Sequence, residues 1–354
     1  MDRILSVVGA RPQFVKAAPL VAVFRKRFDH TLLHTGQHFD DAMSGAFFRE
    51  LDIPKPQIHL GIAGGTHGAM TGAMLAAIEA ALLRVKPALV IVFGDTNSTL
   101  AGALAAAKLH IPVAHVEAGL RSFDMKMPEE VNRRLTDHVS SLLFCPTKAA
   151  ALNLSREGIR KGVFVVGDVM TDVLKRMRTP ARTALRLLDP PRDFYFATVH
   201  RQENTDDRTR LLGILEALGR LPYPVVLPLH PRTRARIKAF RLKIPRNVLA
   251  MEPVSYTQSL GLTLGARAVL TDSGGLQKEA FLLGTPCLTM RETTEWTETL
   301  QGGANRLVGA RPAKIIRAVR AIEKDPPLVK PGLIYGDGRT AARIAGLIKA
   351  HLDR

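Results

Sequence analysis

The chain has 354 residues, 46% of them hydrophobic, more than one ordinary core needs and fewer than three would, so two domains are expected. Its formal charge of +18 admits nucleic acid as a partner, but the basic residues are scattered, aromatics reach only 5%, and zinc-finger spacing, an aromatic RNP motif and a basic tail are all missing, which leaves a diphosphate-bearing substrate as the more economical use of the charge. No apolar stretch is read as reaching the ~18–20 uncharged residues of a membrane helix, and Cys145 and Cys287 lie far apart in apolar runs, so a cytoplasmic protein with buried thiols and no membrane partner is expected.

Short β-branched runs recur in order at Ile4–Val8, Thr31–His34, Leu89–Phe93, Val113–Val116, Leu142–Cys145 and Val163–Val166. Helix-length segments rich in Ala and Leu, such as Thr71–Leu83 and Leu100–Leu109, separate them, which predicts a parallel sheet wrapped by helices. A passage rich in proline and arginine, Met177–Arg192, interrupts the alternation, and a domain junction is expected just before or within it. The pattern resumes with Phe194–Val199, Val225–Leu229, Val248–Met251, Ala268–Thr271, Pro286–Met290 and Arg306–Val308. The fold class is therefore α/β with two Rossmann-like domains, 1–175 and 176–335, and a last helix within 336–354 that crosses back to the first domain.

In open parallel sheets the ligand lies outside the carboxyl ends of the strands. Here those ends are polar in both halves: Gly9–Pro12, Thr35–His38, Gly94–Ser98, Glu117–Gly119, His200–Asn204, His230–Pro231 and Asp272–Gly275. Turn formers and helix caps explain some of this, but not the recurrence of Arg, Gln, His and Glu. The Ser273-Gly274-Gly275 turn opening a helix presents free amides and a positive dipole end to a phosphate, with Glu279 one turn on as an acceptor for ribose hydroxyls; a plain helix cap is the competing reading. Arg11 and Lys16 are either charge partners of a pyrophosphate or solvated helix-start residues. His200 and His230 suit diphosphate contact or acid–base work better as a pair than either would alone. Asp95, Glu117 and the Glu129-Glu130 pair suggest proton transfer or stabilisation of positive charge, although first-turn carboxylates also complement a helix dipole.

Taken together, these segments resemble the non-hydrolysing UDP-N-acetylglucosamine 2-epimerases over nearly the whole chain. The likeness runs through Gly9–Lys16, Gly36-Gln37-His38, Gly94-Asp95-Thr96, His115–Arg121, Pro128-Glu129-Glu130, Asn132-Arg133, His200-Arg201, Asp272–Gly275, Thr293-Thr294-Glu295 and Tyr335–Gly338. The resemblance implies the glycosyltransferase-B architecture and a catalytic group of Asp95, Glu117, Glu129 and His200. It implies that Arg11, Lys16, His230, Ser273, Gly274, Gly275 and Glu279 hold UDP; Gln37 and Arg133 are counted with this substrate-binding group. A homodimer and a UDP-sugar substrate are also implied, and no metal or cofactor is expected. The chain departs from better-known members in having Trp296 where they carry an arginine, and it resembles equally the branch acting on UDP-2,3-diacetamido-2,3-dideoxyglucuronate.

The expected chemistry is set by the substrate. The C2 hydrogen of such a sugar is not adjacent to a carbonyl, so an enzyme must either oxidise a neighbouring hydroxyl or expel UDP from C1. No G-x-G-x-x-G follows the first strand, since Gly9-Ala10-Arg11-Pro12 breaks it, which favours elimination through a 2-acetamidoglycal. The competing functions are a glycosyltransferase or hydrolysing epimerase on the same scaffold and, from another class, a basic nucleic-acid-binding protein.

Overall fold

A computed structural model describes residues 1–37, 48–329 and 331–354. The chain divides into two compact units, Met1–Lys175 with Leu333–Arg354, and Arg176–Gly332. Each is an α/β unit built on a single parallel sheet, as the alternation predicts.

The first unit contains β1 (Arg3–Val8), α1 (Arg11–Arg27), β2 (Asp29–His34), β3 (Ile58–His59), α2 (His67–Val85), β4 (Leu89–Phe93), α3 (Asn97–Lys108), β5 (Val113–Val116), α4 (Pro128–Val139), β6 (Leu142–Cys145), α5 (Lys148–Arg156) and β7 (Val163–Val165). Its seven strands lie in the order β3-β2-β1-β4-β5-β6-β7, all parallel. The chain fills one half of the sheet outward from β1 and the other outward from β4, so the topological switch falls between the tips of β1 and β4. The two-residue β3 escaped the sequence reading because it is too short to carry a period. It exists because Leu33 and His34 offer an open edge to Ile58 and His59.

Helix α2 corrects one expectation. It is 19 residues long with a mean hydropathy of 1.4, enough by length and composition to cross a membrane, and 22% of that stretch is buried. Its many alanines raise hydropathy without bulk, so the stretch does not stand out as a run of large apolar residues. Met74, Ile78, Ala81 and Leu82 form its inward stripe, packed with Leu5, Leu33, Val90 and Val92 of the sheet.

The second correction concerns Met177–Arg192, read as an interruption. Most of it lies in one helix, α6 (Val169–Leu188), which carries Pro180 in its interior. The cost of a proline that donates no bond is outweighed by a periodic apolar stripe, Val173, Leu174, Met177 and Ala181, all buried.

The second unit contains β8 (Tyr195–Thr198), α7 (Gln202–Thr205), α8 (Arg208–Gly219), β9 (Val225–Pro228), α9 (Pro231–Ala239), β10 (Val248–Met251), α10 (Tyr256–Gly265), β11 (Ala268–Thr271), α11 (Gly274–Leu283), β12 (Cys287–Thr289), β13 (Asn305–Leu307) and α12 (Pro312–Lys324). Its strand order, β10-β9-β8-β11-β12-β13, repeats the logic of the first sheet, with the switch between β8 and β11. Alternate residues feed opposite faces. Tyr195, Ala197, Val225, Leu227, Ala268 and Leu270 pack on one side with Leu211, Ile214, Ile315 and Val319 of α8 and α12. Phe196, Val226, Val269 and Cys287 pack on the other with Leu262, Leu276 and Ala280 of α10 and α11. Burial pushes the Cys287 thiol up to about 12, and Cys145 of β6 likewise, so both are inert packing groups.

The last helix, α13 (Thr340–Leu352), belongs to the first unit, where its first amides, Thr340 N and Ala341 N, each donate to the Asp172 carboxylate at 3.1 Å. Ile344, Ala345 and Ile348 form its buried stripe.

Candidate active site

Both switch points carry the residues singled out from the sequence. In the first unit, α1 starts immediately after β1. Its Gln13 side chain reaches back, the Oε1 accepting from Gly9 N at 2.8 Å and Ala10 N at 2.9 Å, which fixes the turn that launches Arg11. Arg11 is partly buried, and that burial lowers its guanidinium pKa against the opposing pull of Glu50.

Lys16, one turn further on, forms an ion pair with Glu117, and both side chains are largely buried. Glu117 follows β5 with φ of +78°, a left-handed conformation that costs a residue with a Cβ on the order of 1–2 kcal/mol. Its amide donates to Phe144 O at 3.1 Å, as does that of Ala118. Gly94, at the tip of β4 with φ of +62°, must be glycine for a second reason: a Cβ there would sit 2.9 Å from Lys16 Nζ and 3.2 Å from Glu117 Oε2. Asp95 is the next residue. Its Oδ2 accepts from Arg133 Nη2 at 2.6 Å, and its carbonyl accepts from Asn132 Nδ2 at 2.9 Å. The structure thus gathers Lys16, Gly94, Asp95, Glu117 and Arg133, and it gives each carboxylate a cation.

The Glu129-Glu130 pair separates cleanly. Glu130 is fully buried and accepts from Ser122 N, Ser122 Oγ and Arg133 Nη1, at 2.8, 3.0 and 3.0 Å. Burial alone would raise its pKa, but these donors win and hold it low. It is an anchor for the loop before α4. Glu129 is partly exposed, and no hydrogen bond or ion pair involves its side chain among the described residues. Gln37 Oε1 accepts from Ser98 N at 3.1 Å and Ser98 Oγ at 2.7 Å, tying the end of β2 to α3. His38 lies outside the described residues.

In the second unit Asp272, fully buried at the end of β11, is the hub. It accepts from the amides of His200 and Arg201 (3.0 Å each to Oδ2) and from Asn204 Nδ2 at 3.1 Å, and it pairs with His200 Nδ1 at 3.1 Å. Burial would raise the Asp272 pKa, yet these donors, His200 first, hold it below the usual range. With its Nδ1 engaged by a carboxylate, the His200 ring is fixed in orientation, with Nε2 on its other side. The His230 ring centroid lies 5.6 Å from that of His200, and His230 Nδ1 accepts from Arg232 N at 3.2 Å as the cap of α9.

Ser273 caps α11, its Oγ accepting from Leu276 N at 3.4 Å. The two glycines differ. A Cβ on Gly274 would lie 2.3 Å from Glu295 Oε1, so that glycine is required by packing, whereas Gly275 is exposed with only Ser273 Oγ near, at 3.9 Å. Glu279 is 8% exposed and accepts from Tyr256 OH at 3.1 Å; burial pushes its pKa up to about 7. The folded state therefore holds a proton that the unfolded chain has lost between pH ~4.5 and ~7, so stability falls as pH rises through this window. Glu279→Gln should remove that slope, leaving the variant on the order of 2–3 kcal/mol more stable than wild type at pH 8 and little different at pH 5 in parallel urea titrations.

Three features were missed from the sequence alone: the Asp137 carboxylate beneath β4 and β5, the role of Asn204 in holding Asp272, and the placing of Lys278 Nζ 3.8 Å from the Trp296 ring centroid. The first two are buried polar residues inside helices, whose partners only the fold reveals. Trp296, noted as a departure, gave the signal for the third.

The sequence model of the UDP-N-acetylglucosamine 2-epimerases matches residues 23–349. The chain belongs to this family. The enzyme is 50% identical over 351 residues to the UDP-2,3-diacetamido-2,3-dideoxy-D-glucuronate 2-epimerase of Pseudomonas aeruginosa, covering 97% of this chain and 98% of that one. Among solved structures it is similar to the Methanocaldococcus jannaschii UDP-GlcNAc 2-epimerase in complex with UDP-GlcNAc and UDP, with a TM-score of 0.90 and 42% identity over 98% of this chain and 99% of that one. The Neisseria meningitidis enzyme bound to UDP-GlcNAc has a TM-score of 0.88 and 30% identity, covering 98% and 100%. This epimerase thus has the two-domain α/β fold of glycosyltransferase-B type that the sequence suggests.

Proposed function

We propose that the enzyme inverts C2 of a UDP-2-acetamido sugar, interconverting UDP-GlcNAc and UDP-ManNAc by elimination and re-addition of UDP. The observation that carries this reading is the pairing of each strand-tip carboxylate in the first unit with a cation, Glu117 with Lys16 and Asp95 with Arg133, which Glu130 holds from its other side. A carboxylate placed in this way can accept a proton and stabilise positive charge developing at the sugar ring. In the forward step a carboxylate removes the C2 hydrogen as a proton, the C1–O bond to UDP breaks, and the electron pair of C2–H becomes the C1=C2 bond of the glycal. The pair in the C1–O bond leaves with UDP. Protonation of C2 from the opposite face, with the UDP oxygen re-forming its bond to C1, gives the epimer; nothing is oxidised or reduced.

Asp95, Glu117 and Glu129 are the groups proposed to act on the ring. Arg11, Gln37, His230, Ser273, Gly274, Gly275 and Glu279 are proposed to hold the nucleotide sugar, with His200 Nε2 protonating or stabilising the departing diphosphate. Lys16 and Arg133, placed with the substrate contacts from the sequence, are proposed to act on it through the carboxylates they pair with. The buried free thiols support a cytoplasmic setting.

Gly275 offers a sharp check, because it is the one glycine of the helix end with open space over it. Gly275→Ala should leave melting unchanged or raise stability by about 0.5–1 kcal/mol, as alanine does in a helix. It should nevertheless weaken UDP binding about tenfold or more, because a methyl stands where the phosphate meets the amides. Calorimetric titration with UDP reads this directly; unchanged affinity would move the phosphate elsewhere.

A second reading has its own support. The 50% identity to the diacetamido-glucuronate epimerase makes that uronate the alternative substrate. Incubation with each UDP-sugar in turn, followed by proton NMR, decides between them by which one yields its C2 epimer. Free sugar plus UDP as the stable product would point to hydrolysis instead.

A further inference from the structure

Beneath the tips of β4 and β5 lies a buried polar cluster that has no direct part in the chemistry above. His115, in the middle of β5, is fully buried. Its Nε2 donates to the Gly94 carbonyl at 2.8 Å, and its Nδ1 is bound to Asp137 Oδ1 at 2.7 Å. The other oxygen of Asp137 accepts from Gly119 N at 3.1 Å and from Arg121 Nη1 at 2.7 Å. Arg121 is fixed in turn by Glu157, at 2.8 and 2.7 Å from its Nε and Nη2.

The geometry has a purpose that burial alone does not explain. Gly94 immediately precedes Asp95, and Gly119 lies two residues past Glu117. Gly94, Glu117 and Gly119 all have positive φ, at +62°, +78° and +80°. The two glycines adopt it freely, but for Glu117, which carries a Cβ, such backbone persists only where its surroundings over-determine it. One carboxylate, through one imidazole, grips the turn after β4 and the turn after β5 together. A polar cluster so fully satisfied rigidifies what it touches.

We infer that His115 is a positioning residue for epimerisation: by donating from Nε2 to the Gly94 carbonyl, while Asp137 holds the turn after β5, it sets the two strand tips from which Asp95 and Glu117 meet the substrate. The inference rests on the proposed reading of those carboxylates as reacting groups. His115 bonds to Gly94 and Asp137 and is sealed from solvent, so its effect on the two carboxylates passes through the backbone. A misplacement of about 1 Å at a reacting group costs ~100-fold in rate.

Two substitutions separate positioning from packing. The amide of His115→Gln reaches the place of Nε2 and can still donate to Gly94 O. That of His115→Asn reaches only the place of Nδ1 and can still meet Asp137 while releasing Gly94. His115→Asn should lower kcat ~100-fold with KM within about threefold of wild type, and His115→Gln should keep kcat within ~10-fold. Equal losses in the two variants, a KM that rises in step with the fall in kcat, or wild-type turnover in His115→Asn would overturn the inference. Should His115→Asn fail to fold, His115→Gln decides alone: kcat within ~10-fold supports the role and a ~100-fold loss contradicts it. Deuterium wash-in at C2 by the wild-type enzyme is measured alongside. Its absence would sink the reading of the carboxylates, whereas its presence with an unselective pair of variants would sink only the role of His115.

Discussion

Glu117→Gln should lower turnover by ~10³–10⁴ while leaving UDP affinity within about threefold of wild type. The amide keeps the size and shape of the side chain but can neither accept the C2 proton nor balance Lys16, whose side chain is only 14% exposed. The strained backbone at φ +78° and the amide bond to Phe144 O are unchanged by the substitution, and a urea titration run alongside separates the cost of leaving Lys16 unbalanced from the loss of chemistry. UDP, by contrast, is proposed to be held by other residues, the Ser273–Gly275 helix end foremost. Steady-state rates by NMR and calorimetric titration with UDP check both halves of the statement. A fall in UDP affinity as large as the fall in rate would reassign Glu117 as a binding residue.

Asp272→Asn should cost kcat ~10²–10⁴, as expected where an imidazole loses the carboxylate that sets its tautomer. An asparagine that turns its amide nitrogen toward His200 Nδ1 leaves a proton on Nε2 for the leaving diphosphate but removes the negative charge that faces the ring from Nδ1. If instead its oxygen stays on Nδ1, that nitrogen is served at the expense of the charge that also holds the His200 and Arg201 amides and Asn204. A drop in stability of about 1–3 kcal/mol should accompany either outcome, because the fully buried Asp272 is the charged acceptor of these donors. The sign with pH follows from the lowered pKa of Asp272. A carboxylate whose folded pKa is depressed contributes stability above its unfolded pKa and loses it as pH falls through the folded value. The stability gap between wild type and Asp272→Asn should therefore narrow in acid, most visibly below pH ~4 in denaturant titrations.

How much of this was legible beforehand depends on the kind of residue. Strands such as Leu89–Phe93 and Ala268–Thr271 are short apolar runs bounded by polar turns, and their ends fall where the sequence put them. The residues after them are exposed to the reading because no packing rule demands a Glu after Val116 or a His after Val199. Helix α6 was harder, since Pro180 spoke locally against a helix while the apolar stripe on either side spoke for one. Hardest were partnerships. Nothing in the order of residues says that Arg133 binds Asp95 rather than a phosphate, or that Glu130 turns inward while its neighbour Glu129 does not. Those choices are made by the crossing of α4 beneath the β4 tip, a contact between segments some 38 positions apart.

The most direct measurement is epimerisation of the UDP-sugar in deuterium oxide, followed at C2 by proton NMR. Elimination with proton transfer by Asp95, Glu117 or Glu129 predicts that the product epimer carries deuterium at C2. Retention of the original hydrogen through turnover would contradict the account.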